Sequence, residues 1–224
     1  MTRFIRKDPV EFQSQQYSPR HSELIKINQK NMFTGIIAKV GKIKDKKIKD
    51  NCLYLTIEKP KGWSIGLGAS ICTNGTCLTV KTMDDNNYTT ELMPETLART
   101  YFADSNQEYV NLEKSLSLND LLDGHLVTGH VDTIGKIIDI EDLGDSKVYK
   151  YEFDEKYNKY VAEKASIAVD GISLTVVDVE KNWFTTALVD YTLQNTTIGK
   201  KEVGDPVHLE FDIIAKYLEK LINK

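Results

Sequence analysis

With 224 residues, 33 acidic against 29 basic side chains and a formal charge of −4, the chain has an ordinary globular composition and lacks the basic field that a nucleic-acid backbone demands. Its three cysteines, an odd and sparse number, argue against a disulfide framework and fit a reducing compartment, the cytoplasm. No apolar run approaches the length of a membrane span, and neither His125/His130 nor Cys72/Cys77, each five apart, has the short spacing of a metal site.

Residues 1–31 are polar and without apolar period, and are expected to be a disordered or appended extension. Asp8, Glu11 and Glu23 argue against a transit peptide; Met32 is either the true start or the point where a lineage-specific extension joins. From there, β-branched and apolar runs predict strands at 35–40, 52–57, 77–82, 88–93 and 110–113. Turn residues at Lys59-Pro-Lys-Gly62, Gly66-Leu-Gly68, Asn74-Gly75 and Asp84–Asn87 separate them. The basic run Lys42–Lys49 reads as a solvated hairpin tip. A short helix is expected around 95–102, and Lys114–Asp123 reads as a joint ending at Gly124.

Beyond the joint the chain repeats itself. Met32-Phe-Thr-Gly-Ile-Ile returns as Leu126-Val-Thr-Gly-His-Val, and Ser70–Val80 returns as Ser166–Val176. Glu91–Leu97 answers to Ala187–Leu193, and Val110-Asn-Leu-Glu113 to Val207-His-Leu-Glu210. The separation of about 94 to 97 positions is too long for a solenoid and means two copies of one domain of about 90 residues. Many short strands in so small a unit point to a closed or nearly closed barrel, since closure removes exposed edges. The boundaries read 32–123 and 124–212, with a brief helix around 154–163. Over 213–224, Ile213, Ile214, Tyr217, Leu218, Leu221 and Ile222 form one apolar helical stripe with Asp212 placed to cap it. That helix is too short to stand alone in water, so it must pack on its own barrel or on a neighbouring subunit.

Alternation puts Cys77 and Thr79 on one face of their strand and Leu78 and Val80 on the other; Ser173 and Thr175 repeat the division. Two readings stay open: a plain solvent face, or the wall of a pocket for a polyhydroxylated or heterocyclic ligand. His130 stands where the first copy has Ile36. A histidine in only one of two matched sites suggests different roles for them, although a histidine beside a glycine is often structural. His125 reads as packing or hydrogen-bonding at the joint.

Taken together, Met32-Phe-Thr-Gly-Ile-Ile37, Asn74-Gly-Thr-Cys-Leu-Thr-Val80, Met93-Pro-Glu-Thr-Leu97, Gly124-His-Leu-Val-Thr-Gly-His-Val-Asp132, Asp170-Gly-Ile-Ser-Leu-Thr-Val176 and Phe211-Asp-Ile-Ile-Ala-Lys-Tyr-Leu-Glu-Lys220 resemble the alpha-type riboflavin synthase family. The resemblance implies a mainly β fold of two tandem six-stranded Greek-key barrels and a C-terminal helix. It implies a transferase that dismutates two molecules of 6,7-dimethyl-8-ribityllumazine to riboflavin and 5-amino-6-ribitylaminouracil without metal, flavin or nicotinamide. Partners implied are a homotrimer, held by the terminal helices, and possible association with lumazine synthase. One pocket would use Gly35, Ile36, Ile37, Cys77, Leu78, Thr79 and Glu91, Leu92, Met93, Pro94, Glu95, Thr96. The other would use Gly129, His130, Val131, Lys164, Ser173, Leu174, Thr175 and Ala187, Leu188, Val189, Asp190, Tyr191, Thr192. Ser70, Cys77, His130 and Asp212 resemble the family's polar residues nearest the reacting carbons, with His130 as proton carrier and Cys77 as pocket wall or transient nucleophile. Asp190 and Tyr191 depart from the proline-acidic pattern of the first copy and leave the second loop's shape open. A non-catalytic lumazine- or flavin-binding protein of the same fold is the alternative; the retained Cys77, His130, Ser173 and Thr175 favour the enzyme.

Overall fold

In the computed structural model, which describes residues 31–223, the chain forms two closed barrels of six antiparallel strands. The first contains β1 (Lys39–Lys49), β2 (Cys52–Glu58), β3 (Ser70–Thr73), β4 (Thr76–Met83), β5 (Asn87–Leu92) and β6 (Tyr109–Lys114), in the order β1-β2-β5-β4-β3-β6. The second contains β7 (Thr133–Asp142), β8 (Ser146–Glu152), β9 (Ser166–Val169), β10 (Ile172–Val179), β11 (Trp183–Val189) and β12 (Pro206–Phe211), ordered β10-β11-β8-β7-β12-β9. The helices are α1 (Pro94–Arg99), α2 (Asp190–Asn195) and α3 (Ile213–Ile222), with 3-10 turns at Glu155–Tyr160 and Thr197–Lys200. Residues 1–30 of the expected extension lie outside the described residues. Among the described residues no helix is long and apolar enough to cross a membrane.

Each barrel is filled from its own alternating faces: Leu53, Leu55, Ile57, Ile71, Leu78, Val80 and Tyr88 in the first, Tyr149, Tyr151, Ile167, Val169, Val176 and Phe184 in the second. Two expectations are corrected. The run 35–40 is not a strand until Lys39. Lys42–Lys49 is not a hairpin tip but the outer length of β1, paired with β2 from Ile43↔Ile57 to Lys49↔Cys52. The backbone ladder imposes the strand although most of its side chains face solvent; the turn is Asp50-Asn51, both at positive φ.

The barrels meet about a pseudo-twofold axis at their Asn74-Gly75 and Asp170-Gly171 turns. A Cβ on Gly75 would stand 2.8 Å from the Gly171 nitrogen, and one on Gly171 2.6 Å from the Gly75 nitrogen, so only glycine fits. Around them lies a buried polar network. Asp170 Oδ1 accepts from Tyr101 OH (2.8 Å) and the His208 backbone N–H (2.8 Å), and Lys201 pairs with Asp170 Oδ2 at 3.0 Å. His208 Nε2 accepts the Tyr101 N–H at 3.0 Å while Nδ1 faces the Asn74 carbonyl at 2.7 Å, which requires the neutral ring with its proton on Nδ1.

Burial holds the His208 pKa down to about 4. Because the unfolded state then takes up a proton that the folded state refuses, stability should fall as pH drops from about 6.5 through 4, by about 3 kcal/mol in total. Urea denaturation at pH 7 and pH 4.5 checks this; equal midpoints would show that the network does not depend on a neutral imidazole.

Candidate functional site

The two segments that lead into the barrels pair with each other at Phe33↔Val127 and then cross over. Gly35, on the way to β1 of the first barrel, accepts through its carbonyl the Ser173 N–H of the second barrel at 2.8 Å. Gly129, on the way to β7, accepts the Cys77 N–H of the first barrel at 2.8 Å. At φ of +77° and +75°, each glycine lies flat on the opposite strand. A Cβ on either would come within 2.6 Å of the Ser173 or Cys77 Cβ. Ile37 continues the crossing and packs against the core of the second barrel.

This corrects the expected grouping. Gly129, His130 and Val131 belong with Cys77, Glu95 and Thr96, around a cavity of about 420 Å³ also lined by Thr76, Arg99, Thr100 and Asp132. Gly35, Ile36 and Ile37 belong with Ser173 on the related side. Strand alternation could not reveal the crossing, because it fixes which face a residue occupies but not which barrel an incoming segment lies against. A second cavity of about 460 Å³, around Tyr101, Tyr109, Lys200 and Lys201, contains none of the candidate residues, so size alone does not select the site.

Two buried carboxylates hold the crossed segments. Glu113 accepts from Thr34 N–H (2.7 Å), Thr34 Oγ1 (2.7 Å) and Gly35 N–H (3.0 Å). Glu210 accepts from Thr128 N–H (2.7 Å), Thr128 Oγ1 (2.6 Å), Gly129 N–H (2.9 Å) and His130 N–H (3.1 Å). Burial pushes both carboxyls up, against the pull of these donors. Sequence reasoning missed them as site residues, although the repeated Val110-Asn-Leu-Glu113 and Val207-His-Leu-Glu210 carried the signal.

The remaining candidates divide by environment. Leu78, Leu92, Leu174 and Leu188 point into the barrel cores, so only their backbones can meet a ligand. Thr79, Thr175, Met93, Pro94, Ala187 and Val189 are exposed. Glu91 is tied to Tyr54 OH at 2.6 Å and Lys81 at 2.5 Å, and Lys81 holds its carboxyl below the usual range. Lys164 stands apart, at φ +65° and 3.7 Å from Glu163, with its N–H on the Val176 carbonyl as Gly68 does on Val80. Asp212 caps α3, accepting the Ile214 N–H at 2.9 Å. Asp190 opens α2 with Tyr191 and Thr192, and Val189 before it (φ −77°, ψ 157°) matches Met93 before α1 (φ −74°, ψ 161°). The loss of proline therefore leaves the backbone at the entry to the second helix, and the helix's six-residue length, unchanged.

The related positions differ in chemistry. Asn31, the last residue of the expected extension, donates to Ser70 at 2.5 Å. Its counterpart in the second copy is His125, whose Nδ1 lies 2.7 Å from Ser173 Oγ. Burial lowers the His125 pKa, against the field of Asp212. His125 thus hydrogen-bonds at the joint, as expected, and its partner is a residue of the second candidate pocket that lies 48 positions away in sequence. Cys77 is pushed up, first by burial, which favours a neutral thiol wall over a thiolate nucleophile.

The lumazine binding domain model matches residues 34–115 and again 128–212. The chain belongs to the lumazine-binding family. Curated members of known name agree: it is 39% identical over 195 residues to the riboflavin synthase of Actinobacillus pleuropneumoniae, covering 86% of this chain and 91% of the relative. It is 36% identical to that of Bacillus subtilis over the same shares. Among solved structures, LumP complexed with riboflavin superposes with a TM-score of 0.75 at 21% identity, over 80% of this chain and 98% of LumP. That likeness places the family fold of two closed six-stranded barrels.

Proposed function

We propose that the protein is a riboflavin synthase, a transferase that converts two molecules of 6,7-dimethyl-8-ribityllumazine into riboflavin and 5-amino-6-ribitylaminouracil. The observation that supports this most strongly is the identity of 36–39% to curated riboflavin synthases over 86% of the chain, together with two lumazine-binding matches. A dismutation of one substrate calls for two related sites, and the crossed segments build two. Each site borrows its glycine loop from the other copy, so the two cannot move independently. The distinct polar pairs, Asn31–Ser70 beside Cys77 and His125–Ser173, suit distinct roles for donor and acceptor.

The reaction needs a proton taken from the activated methyl group of one lumazine and a nucleophile added to the ring of the other. His130, exposed at the rim beside Cys77, is the proton carrier. Ser173 has a neutral imidazole 2.7 Å from its hydroxyl and can hand over a proton as it, or a water or ribityl hydroxyl it holds, approaches the ring. Most of the acceleration comes from juxtaposing two bound substrates. The exposed apolar stripe of α3 supports self-association; a homotrimer in which the first barrel of one subunit faces the second barrel of its neighbour rests on the resemblance. The three free cysteines fit the cytoplasm. Association with lumazine synthase rests on the resemblance alone.

Titration of ligand fluorescence should give two lumazine sites per chain. His130→Gln should keep both while single-turnover kinetics slow by a factor at or below the 10²–10⁴ typical of a lost acid–base group. Unchanged turnover would return His130 to a structural role; one site per chain would contradict the paired pockets.

A further inference from the structure

Cys72 and Cys77 are direct cross-strand partners in the β3–β4 hairpin. The turn between them is two residues, Asn74 and Gly75, both at positive φ (43° and 79°), the type I′ geometry. Thr73 and Thr76 close that turn, so Cys72 and Cys77 form the next, non-hydrogen-bonded pair. The Cys77 N–H confirms this by leaving the ladder for the Gly129 carbonyl. In such pairs the Cα atoms stand about 4.5 Å apart with side chains on one face, within the range that a disulfide spans. Cys77 packs against the small cluster of Cys72, Phe33, Val127 and Ala168. The second copy places Ala168 opposite Ser173, so only the first copy can make the bond. Cys72 is buried, whereas Cys77 is half-buried and lines the cavity with His130.

We infer that Cys72 and Cys77 form a reversible disulfide, an oxidative modification site that disables the first pocket. The oxidant is a low-molecular-weight disulfide entering through the cavity. The Cys77 sulfur, giving up its proton, attacks one sulfur of the oxidant and expels a thiolate, which takes that proton. The Cys72 sulfur then attacks Cys77 in the mixed disulfide, expelling the second thiol as its own proton leaves. The chain loses two electrons and two protons, and the oxidant becomes two thiols. Bonded to Cys72, the Cys77 sulfur is withdrawn from the cavity wall and constrains the strand against which Gly129 is seated. Burial that raises both thiols makes the first attack slow, so the bond forms under sustained oxidation.

The effect on turnover rests on the function proposed above; the bond does not. The full chain is incubated with oxidised glutathione, alkylated and digested with trypsin. The peptide 62–81, which holds both cysteines, should escape alkylation and be lighter by two hydrogens. Turnover of lumazine should fall in proportion to the cross-linked fraction and return with dithiothreitol. Cys72→Ala, which copies Ala168, should keep its basal turnover and never yield the lighter peptide, while Cys52→Ser should behave as the parent. Alkylation at both cysteines, or glutathione retained on Cys77 as the end product, would overturn the bond. A cross-linked chain with undiminished turnover would overturn its effect on the pocket. A chain that cross-links yet shows no turnover before oxidation would leave the bond standing and sink the enzymatic reading instead.

Discussion

Deleting residues 213–224 should yield monomers that still bind lumazine but turn it over at least ~100-fold more slowly, the scale of losing a positioned reaction partner. α3 has ten residues, too few for a helix to persist alone. Beside its packing on the 3-10 turn at Glu155–Tyr160, it is tied to the chain by ion pairs at its flank, Lys159–Glu219 at 2.6 Å and Lys216–Asp132 at 2.5 Å, partly exposed and worth about 1 kcal/mol or less each. Meanwhile Ile214, Tyr217, Leu218, Leu221 and Ile222 are each more than half exposed. Burying such a side chain contributes about 1.5–3 kcal/mol, so the stripe is a strong driver of association once a partner stripe faces it. Light scattering on the truncated chain checks the first half of the expectation and ligand fluorescence the second. A truncated chain that stays trimeric would remove the helix from the assembly.

Glu210→Gln should release the Thr128–His130 segment and lower turnover by on the order of 10²-fold, because a misplacement of about 1 Å at a reacting site costs that much. The carboxylate serves four donors with two oxygens. The amide keeps one acceptor and turns N–H groups toward backbone N–H groups. Each donor left unpaired and buried costs about 1–3 kcal/mol, so the melting temperature should fall as well. Glu113→Gln should do the same to Thr34 and Gly35 on the other side. Glu58→Gln, at an exposed pair with Lys44 at 3.2 Å, is the control and should change stability by no more than about 1 kcal/mol. Equal turnover in Glu210→Gln and the parent would show that the crossed loop holds its place without the clamp.

The contrast between Glu210 and the leucines shows what was legible in the chain and what was not. Alternation alone turns Leu78 and Leu174 inward, and both lie in the barrel cores. The repeat likewise made the equivalence of Cys77 and Ser173 readable. What a strand pattern cannot carry is which neighbour lies beyond the polar face. Cys77 meets Gly129 and Ser173 meets Gly35 only because the two copies face each other across the Gly75–Gly171 contact. The partner of His125 is hidden for the same reason: nothing in its neighbourhood along the chain announces Ser173. The Lys42–Lys49 strand escaped notice because its ladder with Cys52–Ile57 comes from pairing and leaves hardly any apolar period to detect.

The central claim, that one substrate serves as both donor and acceptor, is tested most directly by mixing the full chain with 6,7-dimethyl-8-ribityllumazine alone, in the presence of a chelator, and following the products by absorbance and chromatography. Two lumazines should disappear for each riboflavin formed, with 5-amino-6-ribitylaminouracil appearing in equal amount. Binding without riboflavin, or turnover that begins only when a metal ion or a redox cofactor is added, would contradict it.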